Sequence, residues 1–160
     1  MAQANPRMTE QHAAGAVLRI TRRFAAPREM VFAAFTETDQ FKHWWGPKSM
    51  RCPEAVIDPR PGGRFHAVMM GSDDHAHVIE GLFQEVTPPS RLVFTWAWQH
   101  GDYKGLETRV TLEFHDRDGD CELVLTHEKL ADERARELHG EGWSSSFDCL
   151  DELLEKGTDR

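Results

Sequence analysis

Apolar and polar residues alternate over 17–24, where Val17, Leu18, Ile20 and Phe24 stand against Arg19, Thr21, Arg22 and Arg23. A period of two marks a strand with one face buried. The period then lengthens, because Met30, Val31, Phe32 and Phe35 recur at helical spacing behind Pro27, a residue tolerated in a first helical turn. This predicts an amphipathic helix over 26–35. A second short helix follows, capped by Thr36 or Thr38 and stopped by Gly46-Pro47 after the Trp44-Trp45 pair.

Beyond Pro47 the chain reads as six strands, over 55–57, 63–70, 77–86, 91–98, 106–114 and 121–127, each bounded by Pro, Gly or Asp turns. Asp118-Gly119 is the strongest hairpin signal among them. Short connections between consecutive strands imply an antiparallel meander. Parity puts Leu92, Phe94, Trp96 and Trp98 on one face, with Val110, Leu112 and Phe114, and with Leu123, Leu125 and His127. A last helix over 132–156 carries His139, Trp143, Phe147, Leu150 and Leu154 as a continuous stripe, which must lie on that sheet face. The expected fold is α+β: a curved antiparallel sheet of six to seven strands around a long C-terminal helix. It makes one domain over 16–157, behind a disordered tail over 1–15 whose residues are too polar and small to offset ordering entropy.

Composition narrows the classes of function. The 160 residues carry a formal net charge of -8 with no basic stripe, which argues against nucleic acid and anionic membrane surfaces as partners. No run approaches a membrane span of about 18 apolar residues. Three well-separated cysteines, Cys52, Cys121 and Cys149, form no C-x-x-C pair, so reduced thiols and a cytoplasmic location are expected.

Five local phrases carry a family resemblance: Phe41-Lys42-His43-Trp44-Trp45-Gly46-Pro47, Asp58-Pro59-Arg60-Pro61-Gly62-Gly63-Arg64-Phe65, Pro88-Pro89-Ser90-Arg91-Leu92-Val93-Phe94-Thr95-Trp96, Leu125-Thr126-His127-Glu128 and Gly142-Trp143. With the element order, they resemble the START-like (SRPBCC, helix-grip) superfamily, in its branch of activator of heat-shock protein ATPase homologues. The resemblance spans nearly the whole chain outside the tail. It implies a cavity between sheet and helix of the kind that relatives use for lipids, polyketides, steroids and other apolar ligands.

The expected function is therefore binding of a small hydrophobic or aromatic molecule, without a cofactor, by a monomer or homodimer. The candidate wall comprises Phe65, Met69, Trp96, Trp98, Val110, Leu112, Leu125, His127, Trp143 and Phe147, with Trp44, in the Trp44-Trp45 segment, near the mouth. Tryptophans suit such a wall because each offers a wide apolar face and one N–H, although any of them can equally be core. Ser146 could face the cavity and orient a polar ligand group, or bond back to the preceding turn. Gly140 and Gly142 cost helix stability, so the backbone there either approaches the sheet or a ligand closely, or the helix starts or kinks.

A polyketide-cyclase-like enzyme is the second reading, with His127 as a general base; the alternative for His127 is a hydrogen-bonded core histidine. Glu80 and Glu85 are further acid–base candidates if one of them points inward. His75 and His77 with Asp73 or Asp74 have no third strong ligand at fixed spacing, so no metal site is expected. No nucleophile elbow, phosphate loop or dinucleotide motif occurs, and Cys121 and Cys149 read as small core residues. A stress-related, co-chaperone-like interaction module is the third reading.

Overall fold

The computed structural model describes residues 15–157, so the expected tail lies, apart from Gly15, outside the described residues. The element order is β1 (Ala16–Phe24), α1 (Arg28–Thr36), α2 (Thr38–Trp44), β2 (Arg51–Ile57), β3 (Arg64–Met70), β4 (Ala76–Thr87), β5 (Arg91–Trp98), β6 (Thr108–Arg117), β7 (Asp120–Leu130) and α3 (Glu133–Gly157). All seven strands join one antiparallel, curved sheet in the order β1-β7-β6-β5-β4-β3-β2. The strand met first thus pairs with the strand met last.

Local chemistry sets most boundaries. Pro27 cannot donate to a helix ladder, so it serves as the N-cap of α1, its carbonyl receiving the amides of Met30 and Val31. Neither threonine caps α2. Glu37 occupies the cap, while the Thr38 hydroxyl exchanges hydrogen bonds with the backbone of Ile57 and pins the end of β2. Strand β2 begins four residues before the predicted start because Pro53 is tolerated on an edge strand beside a bulge. Asp118 and Gly119 both take positive φ, 56° and 92°, and close the β6–β7 hairpin with Arg117 opposite Asp120.

Asp132 accepts the Ala135 amide at 2.8 Å and starts α3, which then runs unbroken through both glycines. The helix neither starts nor breaks at them. Gly140 is the close approach instead: a Cβ there would stand 3.3 Å from Leu18 Cδ1 on β1, whereas one on Gly142 would meet nothing within 4 Å. The stripe from His139 to Leu154 is buried along its length against the concave sheet face, with Leu92, Phe94, Val110, Leu112, Leu123 and Leu125 beneath.

Candidate functional site

A cavity of about 250 Å^3 opens between α3, β5 and the segment that follows α2. Its aromatic wall is Trp45, Trp96, Trp98, Trp143 and Tyr103. Helix α3 contributes Leu138, His139, Gly142 and Ser146, and Pro47, Met50, Met69 and His77 complete the lining. The rings brace one another: Trp45 meets Trp96 and Trp143 edge to face at 5.7 and 5.2 Å, and Trp96 meets Trp98 at 5.6 Å. Gly142 borders the cavity, and a Cβ at that position would meet nothing within 4 Å.

Behind the wall, one chain of hydrogen bonds fixes every proton. The Thr108 hydroxyl donates to the Trp96 carbonyl at 2.9 Å, so it must accept from His127 Nε2, 2.8 Å away. His127 Nδ1 is then bare, and accepts the Trp143 indole N–H at 3.2 Å. His127 is fully buried, and burial, seconded by nearby His139, holds its pKa well below the ordinary histidine value. A parallel pair stands at the cavity itself. His139 Nδ1 donates to the Ala135 carbonyl at 2.7 Å, leaving Nε2 to accept the Trp98 indole N–H at 2.9 Å. Burial lowers the His139 pKa as well, against a smaller opposing effect of the Ala135 carbonyl.

Both histidines are therefore neutral, and both spend their two nitrogens on protein partners. That arrangement orients Trp143 and Trp98. His127 has no lone pair directed at the cavity, so its geometry is that of the hydrogen-bonded core histidine.

The structure brings together four of the residues expected in the wall: Met69, Trp96, Trp98 and Trp143. It places the others elsewhere. Of the Trp44-Trp45 segment expected at the mouth, Trp45 lines the cavity, while Trp44 is buried between Phe35 and Phe41 and donates its N–H to the Ala34 carbonyl at 3.0 Å. Helix α2 stops at Trp44, and Trp45 follows in an extended conformation with its ring 5.5 Å from that of Trp44. Phe65, Val110, Leu112, Leu125, Phe147 and His127 have the expected inward parity but lie in the packed core rather than on the cavity surface.

Pro47, Met50, Tyr103 and Leu138 were not legible as wall residues. Tyr103 sits in the β5–β6 loop, and its signal in the sequence is only that the chain's single tyrosine falls in a polar stretch.

The remaining titratable candidates lie elsewhere. Glu80 points outward, where Arg64 holds it bidentately at 3.2 and 2.9 Å and His66 Nδ1 lies at 2.5 Å; Arg64 and His66 together outweigh burial and lower its pKa. Glu85 pairs with Arg91 at 3.1 Å. Among the described residues no three His, Cys, Asp or Glu side chains are grouped to hold a metal, so His75 and His77 gain no third ligand. Burial pushes the Cys121 thiol up to about 12, and the three cysteines are free.

Comparison with known proteins agrees with this architecture. An AHSA1 protein from Silicibacter pomeroyi has a solved structure that superposes with a TM-score of 0.80 at 30% identity, over 89% of this chain and 99% of that one. A protein from Chromobacterium violaceum follows at 0.78 and 25% identity, over 87% and 96%, and one from Nitrosomonas europaea at 0.73 and 25%, over 88% and 95%. No curated protein matches significantly. Residues 25–155, from the approach to α1 through nearly all of α3, match the model of the activator of Hsp90 ATPase homolog 1-like proteins, and to that family, with its helix-grip fold, the chain belongs.

Proposed function

We propose that this protein binds a small apolar, aromatic molecule in the cavity between α3 and β5. One observation carries the reading: four tryptophans and a tyrosine converge on a space of about 250 Å^3 that the helix leaves open at Gly142. That volume is slightly below the range of roughly 300–1,000 Å^3 common to drug-sized ligands, which favours a compact molecule over a long acyl chain. No Lys, Arg, Asp or Glu lines the space, so nothing there compensates a charged ligand.

The test is titration of intrinsic tryptophan fluorescence with naphthalene in the parent protein and in Gly142→Leu. The leucine side chain fills the cavity, so the parent should respond and the variant should not, with both retaining the same circular dichroism. An equal response from the two would overturn the reading.

A further inference from the structure

Within the cavity wall, hydrogen-bonding groups divide into those with partners and those without. Trp143, Trp98 and His139 are paired as described, and the Tyr103 hydroxyl reaches Asp132 at 3.4 Å. His77 is partly exposed at the rim. Ser146 differs from all of these. It is 4% exposed, lines the cavity, and makes no hydrogen bond with any described residue, not even to the helix carbonyl one turn back.

Two further groups in the same wall, the Trp45 and Trp96 indole N–H groups, are buried without a hydrogen-bond acceptor. Those two sit inside the aromatic cluster, with ring centroids 5.2 Å apart for Trp45 and Trp143 and 5.3 Å apart for Trp96 and Trp143. The Ser146 oxygen, unlike those two nitrogens, reaches the cavity space, and serine in a helix ordinarily turns back to the preceding carbonyl instead. A hydroxyl that forgoes that bond while facing a cavity is placed to meet a ligand.

We propose that the ligand is a compact, uncharged aromatic molecule bearing one oxygen, a hydroxyl or carbonyl, and that the Ser146 hydroxyl is its hydrogen-bond partner. This rests on the cavity being the binding site. The aromatic wall supplies affinity for the ring, and Ser146 sets the ring's orientation by holding its oxygen on the α3 side. Neutrality follows from the lining, which holds no Lys, Arg, Asp or Glu and whose His139 is paired through both nitrogens in its neutral form. An anion would lose its hydration without gaining a counter-charge.

The experiment compares naphthol, naphthalene and naphthoate on the parent protein and on Ser146→Ala. It follows the indole N–H signals in proton–nitrogen correlation spectra. Trp44 is the internal reference, because its N–H is committed to Ala34 in the core. In the parent, naphthol should bind about two- to tenfold more tightly than naphthalene, the increment of one neutral hydrogen bond. Naphthoate should bind most weakly. Signals of Trp45, Trp96, Trp98 and Trp143 should move while that of Trp44 stays. Ser146→Ala, a substitution favourable to a helix, should erase the preference for naphthol and leave naphthalene affinity unchanged.

Equal affinities for naphthol and naphthalene in the parent, a preference that survives in Ser146→Ala, or tightest binding of naphthoate would each overturn the inference while leaving the cavity reading intact. Failure of all three compounds to move the four indole signals would overturn the cavity reading itself.

Discussion

Helix α3 lies across one continuous sheet face, yet its two halves have different neighbours. Toward its C-terminal half, Phe147 meets Phe24 edge to face at 5.9 Å, while Phe114 packs against Phe32 and Phe35 at 5.2 and 5.7 Å. These side chains carry no polar atom, and α1 closes over them. Toward the N-terminal half the same face is built from Trp96, Trp98, Trp143, His127 and His139, and here a cavity remains. Phenylalanines can slide until the gap closes, because dispersion and burial are non-directional. Indoles and imidazoles tied by hydrogen bonds at fixed distances cannot, so polar handles hold the wall apart.

The largest test of this contrast is truncation at each end. Phe114→Ala, at a fully buried site in the closed half, should cost about 3–5 kcal/mol. Met69→Ala, whose side chain already borders free space, should fall at the low end of its class, about 2 kcal/mol. Urea unfolding of both variants decides it, and equal losses would erase the distinction between the two halves.

Next in size is the polar chain. His127→Ala strips Trp143 and Thr108 of their shared partner, which should lower stability by roughly 1–3 kcal/mol through the unpaired groups. The indole N–H signal of Trp143 should also shift in the variant, as it loses its acceptor. A change of less than about 0.5 kcal/mol, the scatter of unremarkable surface substitutions, would show that the chain does not brace the wall.

Acid should weaken the open half selectively. The folded-state pKa values of His127 and His139 are both lowered, so below the ordinary histidine value of about 6.5 the unfolded chain binds protons that the folded chain resists. Stability from this source is complete above that pH and falls as pH drops through it toward the folded values. The melting temperature should decline from pH 7 to pH 5, and His139→Gln should flatten the decline. A profile unaltered by that substitution would remove His139 from the account.

The smallest effect separates the two glycines. Gly142→Ala should stabilise the helix by about 0.5–1 kcal/mol, since its Cβ meets nothing. Gly140→Ala should gain less, because its Cβ must share space with Leu18 Cδ1 at 3.3 Å. Chemical denaturation would show this as a difference in midpoints, and the reverse ranking would contradict the packing described here.

How far the sequence was legible follows from what each signal depends on. Strand parity, the stripe on α3 and the Asp118-Gly119 turn depend on neighbouring residues, and the fold could be read from them. Boundaries slipped where a tertiary neighbour changed the meaning of a residue: Pro53 breaks a central strand but not an edge, and Thr38 caps nothing because Ile57 engages it. The candidate site was half legible for the same reason. Parity says that a side chain faces inward, and in that sense Trp96, Phe65 and Val110 are equivalent.

Which inward side chain meets another and which meets open space depends on the path of α3 and on the turn after Trp44, and these are set by distant parts of the chain. The chain's own pattern thus determined one sheet, one gripped helix and a tryptophan-rich face between them. The cavity, which member of the Trp44-Trp45 pair lines its mouth and the unpaired hydroxyl of Ser146 were decided only in the tertiary structure. Periodicity records the direction of a side chain from its own backbone, while a void is a property of everything that fails to reach it.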